Sequence, residues 1–159
     1  MTQFPRPNRP NSDRRDQQGN RQQSEQDDIA KKMVQTIQGL KQDGLKAYPI
    51  RDLVQNAEDF GHELVRQGLK TNQIRKFLDA VNQLKAKLVD TSFADVKDET
   101  ILLKPKLAYA AARQNAIKPL NQVISEAIDI VEDEKDFYRL VQLVESIIAY
   151  HKAFGGKNQ

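Results

Sequence analysis

In PLNQVISEAIDIV, residues 119–131, the apolar side chains Leu120, Val123, Ile124, Ala127, Ile128 and Val131 recur at steps of three and four. That is the period of one helix face, and Pro119 suits the first turn of such a helix. The same rule governs the neighbouring segments. About Lys135–Phe154, the residues Phe137, Leu140, Val141, Val144 and Ile148 form a stripe that Gly155–Gly156 stops. Upstream, Thr71 or Asn72 can cap a helix carrying Ile74, Phe77, Leu78, Val81, Leu84 and Leu88. A stripe from Pro49 through Leu53, Val54, Ala57, Leu64 and Val65 ends at Gly68, and another runs Ile29, Met33, Ile37 and Leu40 behind Asp27 and Asp28. A short Ala-rich helix is expected around Pro105–Asn115, and Thr91–Thr100 reads as a loop holding Phe93. No segment shows the two-residue alternation of a strand. The expectation is an all-α compact bundle of about six helices.

Residues 1–24 break the pattern. Met1–Ser24 has three prolines, no Leu, Ile or Val, and five arginines against Asp13 and Asp16. Such a stretch buries too little apolar surface to offset the ~1–2 kcal/mol of entropy lost per ordered residue. It is read as a disordered tail, residues 1–24, ahead of one helical domain, residues 25–159. The tail is either a basic arm for a polyanion or a solubilising leader. The whole chain of 159 residues carries 25 Lys and Arg against 22 Asp and Glu, a net charge of +3. That is compatible with a nucleic-acid partner without requiring one.

The chemistry that the residues exclude is broader than what they suggest. Cysteine is absent, and His62 and His151 are the two histidines. No disulfide frame, thiol nucleophile or thiolate metal site is available. His62 has no second ligand at metal-binding spacing, and His151 suits the dipole at a helix C-terminus. Neither a Walker-type loop nor a dinucleotide fingerprint is present. The longest charge-free stretch, residues 33–40, is too short to span a bilayer. Nor does an apolar segment follow the N-terminal charges as in a secretory precursor. A soluble cytoplasmic chain with no catalysis and no cofactor is the expectation.

The cations are more informative. At 100° per residue, Lys76 and Lys87 fall on one side of their helix, with Arg75 on a flank and Lys85 at the edge of the apolar stripe. Lys106 and Arg113 are two turns apart, nearly on one face and about 10 Å along the axis. Lys104 and Lys118 bracket the same short helix. Such rows can meet successive phosphates, since phosphate contact needs only charge and donors. They are equally an ordinary solvated face. Aromatic rings can stack on unpaired bases, and Tyr109 lies within the basic helix; Phe60, Phe77 and Phe137, however, sit at core positions, and Tyr109, Tyr138 and Tyr150 are expected half-buried with the hydroxyl at the surface. Any nucleic-acid contact is therefore expected at the backbone, with little sequence preference.

Three segments read together, GLKTNQIRKFLDAVNQLKAKL (68–88), LLKPKLAYAAAR (102–113) and FYRLVQLVESIIAYHKAFGG (137–156), resemble the small helical subunit of type III CRISPR–Cas effector complexes, particularly the III-A, Csm-type kind. The resemblance covers most of residues 30–156. Ala112 departs from it, standing where many relatives would carry Gly before the arginine. The resemblance implies a non-catalytic subunit of an RNA-guided ribonucleoprotein in antiviral defence. Several copies would stack head-to-tail beside other effector subunits, along the guide RNA–target RNA duplex. It carries RNA contact onto Arg75, Lys76, Lys104, Lys106, Arg113 and Lys152, although Arg113 could instead hold a neighbouring carboxylate. Base pairing would then read sequence while the protein reads backbone and shape. Two other classes remain open on the residues alone. A helix-turn-helix transcription factor would use 68–72 as its turn and Gln73, Arg75 and Lys76 on its recognition helix. A helical adaptor would bind only protein.

Overall fold

In the computed structural model, which describes residues 29–155 and the isolated Gln3, every apolar stripe named above lies on a helix, with only end residues such as Leu40, Ile74 and Val131 just outside it. The tail expected over 1–24 otherwise lies outside the described residues. Helix α1 covers residues 29–38. A 3-10 turn, Leu45–Ala47, leads to α2 (Ile50–Arg66), and a second, Thr71–Gln73, leads to α3 (Arg75–Asp90). Then come α4 (Phe93–Ile101), α5 (Leu103–Arg113), a third 3-10 turn (Asn115–Ile117), α6 (Lys118–Asp129) and α7 (Glu134–Ala153). The described residues contain no strand, and none of their helices is long and apolar enough to cross a membrane.

Two local expectations are corrected. Residues 91–100 are not a loop: α4 occupies most of them. Ser92 starts it, with its N–H donating to Asp95 Oδ2 at 3.2 Å, and Val96 and Thr100 are buried one turn apart. Nine residues give only two turns of stripe, too few for periodicity to stand out. Second, neither Thr71 nor Asn72 caps α3. The Gln73 side chain turns back to accept from the Lys70 N–H at 3.0 Å, which tightens the segment into a 3-10 turn, and α3 starts at Arg75.

The packing centres on α7. Phe137, Leu140, Leu143 and Ile147 are fully buried, and α7 runs along α2 while also meeting α3 and α6. The α2–α7 contact is close because Gly61 lies in it. A Cβ at Gly61 would come within 2.8 Å of the His151 backbone nitrogen and 2.8 Å of Tyr150 Cβ. Because one of these neighbours is helix backbone, the helices themselves would have to part. Gly61→Ala is therefore expected to destabilise by about 1–3 kcal/mol, the usual cost of overpacking. The urea midpoint should fall with an unchanged m-value, and an unaltered midpoint would contradict the close approach.

Pro105 falls at the third residue of α5, where its missing N–H would have had no partner within the helix anyway. The buried stripe of α5 is Leu103, Leu107 and Ala111, at steps of four. Helix α5 packs against both α3 and α6, so residues on the two sides of that stripe face different neighbours.

Candidate nucleic-acid interface

Between α3 and α5 lies an open groove of about 330 Å³. Lys76 and Phe77 line it from α3; Lys106, Tyr109 and Arg113 line it from α5. Asn72, Gln73 and Ile74 close it from the turn before α3, and Gln114 from the end of α5. Three cations and no carboxylate face this space. None of the three forms an ion pair among the described residues. A field of one sign, focused between two helices, is suited to an anion.

The α5 face follows from helix geometry. Lys106, Tyr109, Ala110 and Arg113 are spaced i, i+3, i+4 and i+7, so they share the side of α5 that looks toward α3. Lys104 is about 160° around the axis from Lys106. It stands across the buried stripe and pairs with Asp129 of α6. Of the two cations that bracket α5, Lys104 therefore does not line this groove. Arg75 is exposed one residue beyond the groove wall, and Lys152 is exposed near the end of α7, neither lining the groove. Lys87 faces a second hollow of the α3–α5 seam, also lined by Lys106, but Glu99 pairs with it. Lys85 reaches Glu145 of α7 at 3.0 Å.

The turn that forms one wall is held at three points. Leu69 N–H donates to Leu64 O and Gly68 N–H to Val65 O, both at 3.0 Å, with Gly68 at φ 79°. This is a Schellman ending for α2. His151 is wholly buried and its Nε2 lies 2.7 Å from Leu69 O. A carbonyl only accepts, so Nε2 carries the proton. The dipole role expected for His151 is thus replaced by a core hydrogen bond that fixes the segment leading into the groove. Gln73 completes the wall, donating from Nε2 to Gln114 Oε1 at 3.2 Å.

Tyr109 also departs from expectation. It is 65% exposed, because it lies two residues from both Leu107 and Ala111 and so points away from the buried stripe. The Arg113 guanidinium sits 5.7 Å from the centre of its ring. Arg113 therefore packs on an aromatic face, and no carboxylate bridge to it is present among the described residues. Tyr109 was named for stacking but set aside as half-buried, and Asn72, Gln73 and Gln114 were missed as groove residues. For Tyr109 the signal was available in its spacing from Lys106 and Arg113. For the amides no sequence signal exists, since they meet only through the fold.

The helix-turn-helix arrangement is not what the turn produces. Helix α2 packs chiefly along α7, while α3 packs on α4 and α5.

A family model, Csm2 Type III-A, matches residues 47–157. The chain belongs to that family. All six cations named from the sequence fall inside the Csm2 match, whereas α1 precedes it. The chain is similar to the CRISPR system Cms protein Csm2 of Streptococcus thermophilus, 30% identical over 92 residues, covering 57% of this chain and 76% of that one. It is also 29% identical over 96 residues to the protein of the same description from Enterococcus italicus, covering 55% and 69%. No solved structure matches it. As a Csm2 chain it is a small subunit of a type III-A CRISPR complex.

Proposed function

We propose that this subunit contacts the guide RNA–target RNA backbone through the α3–α5 groove, and that it does so without catalysing a reaction. The observation that carries this reading is the groove itself, where Lys76, Lys106 and Arg113 converge with no carboxylate among the lining residues. Phosphate neutralisation needs no more than this, and it leaves sequence to base pairing. Arg75 flanks the groove and extends its reach along a strand. Lys104 and Lys152 stand on other faces, so their contacts, if the backbone wraps that far, are peripheral to the groove. Copies of the chain stack head-to-tail on the assembled cytoplasmic complex, a heterologous arrangement that propagates along RNA instead of closing a dimer.

A gentle tagged pull-down from the native host, with the bound RNA sequenced and the proteins identified by mass, tests the reading. Short RNAs with a common repeat-derived end, recovered with other effector subunits, are expected. Recovery of duplex DNA, or of protein partners without RNA, would overturn it. With three cations in the groove, affinity for a single strand should fall with a log–log salt slope near −2 from the groove alone.

A further inference from the structure

We infer that the α3–α5 groove also seats one unpaired nucleobase of the bound RNA, stacked on the ring of Tyr109. This rests on the RNA-binding reading above and adds a contact which that reading does not need. Backbone binding is served by cations alone; an exposed aromatic among them has to be explained separately. Tyr109 is 65% exposed, lines the groove, and has the Arg113 guanidinium 5.7 Å from its ring centre. A guanidinium on one face of a ring leaves the other face as a platform, and base stacking on an aromatic residue is tolerant of sequence.

The rest of the groove fits a base better than a bare phosphate. Its floor is apolar, formed by Ile74 and Phe77, which are 1% and 2% exposed. Its volume, about 330 Å³, is at the low end of the ~300–1,000 Å³ of small-molecule pockets. That suits one nucleotide in its interior, while the backbone of a duplex meets only the cations at its rim. At the end of the groove the Gln73 amide is held on both sides, by Lys70 N–H and by Gln114 Oε1. The Gln114 amide nitrogen is thereby left as a donor for a base edge. Lys76 and Lys106, on opposite walls, suit the phosphates that enter and leave.

The test uses the full chain and fluorescence anisotropy, with three labelled RNAs: a short oligouridylate, the same strand with an abasic site, and a perfect duplex of equal phosphate number. Tyr109→Leu should lower affinity for oligouridylate by roughly 5- to 150-fold, the range for one lost base stack. Tyr109→Phe should retain it, and duplex affinity should not change with either. The native chain should bind the abasic strand as weakly as Tyr109→Leu binds the intact one. The salt slope should be the same for Tyr109→Leu as for the native chain, since no phosphate contact is lost. Should Tyr109→Leu bind oligouridylate like the native chain, or lose strand and duplex affinity equally, the base seat is overturned. If Lys76→Glu with Lys106→Glu still weakens both RNAs in that case, the backbone reading stands. A native chain that binds neither RNA at low salt overturns both.

Discussion

Lys76→Glu combined with Lys106→Glu should lower affinity for RNA roughly 100-fold while leaving the far-ultraviolet circular dichroism unchanged, since each reversal removes a charge-assisted contact of about 1.5–3 kcal/mol before screening. Both side chains are exposed and make no ion pair among the described residues, so the fold does not depend on their charge. The variant's salt slope should also be shallower by about 1.4 for a single strand, two phosphates' worth of released counterions. Lys104→Glu is the control. It changes net charge in the same sense, yet its side chain faces α6 and pairs with Asp129. Loss of an exposed pair of this kind costs ~0–1 kcal/mol of stability. If affinity followed net charge alone, Lys104→Glu would weaken RNA binding as much as either groove reversal. That outcome, or an unaffected double variant, would remove the groove from the binding face.

The contrast between Lys104 and Lys106 shows how far the residues alone can be read. Periodicity along α3, α5, α6 and α7 is long enough to identify buried faces, and all-α architecture follows from it. The same arithmetic puts Lys106 and Arg113 together. It does not say which neighbouring helix either side of α5 will meet, because that depends on contacts between segments distant in sequence. That Lys104 and Lys106 face different helices could not be read in advance, since it follows from α6 taking one side of α5 and α3 the other. Helix α4 failed differently. Its start was written in Ser92 and Asp95, three residues apart, but its apolar stripe was too short to be weighed against the surrounding polar residues. His151 shows a third limit. A histidine near a helix C-terminus satisfies the dipole argument wherever it points, and only packing against α2 shows that it is buried on the Leu69 carbonyl.

Asp136→Ala should destabilise the chain by about 2–4 kcal/mol, from losing two hydrogen bonds to a buried carboxylate and leaving their part-buried donors unpaired. The carboxylate is wholly buried and joins three elements. Its Oδ1 accepts from Lys46 N–H at 2.8 Å, in the first 3-10 turn, and its Oδ2 accepts from Glu132 N–H at 3.0 Å, ahead of α7. Asp133 caps α7 by accepting from the Asp136 N–H at 2.8 Å, and it also takes the Lys46 ammonium at 2.6 Å. That hydrogen bond from Lys46, then the one from the Asp136 N–H, holds the Asp133 carboxyl below its ordinary value of 3.8. The stability tied to Asp133 is thus complete at neutral pH and is lost only as pH falls from the ordinary carboxylate value through the lowered one. The melting temperature of Asp136→Ala should fall by about 10 °C at pH 7. Asp136→Asn keeps one acceptor oxygen and should fall less. Gly44 supplies the independent check. It holds φ 86° and ψ 166°, a region essentially reserved for glycine, and a Cβ there would lie 2.6 Å from Asp136 Oδ1. Gly44→Ala therefore costs backbone strain plus a clash in the native chain, but strain alone once the carboxylate is gone. The two substitutions should destabilise less together than the sum of each alone. Strict additivity would mean that the buried carboxylate and the turn at Gly44 do not meet as described.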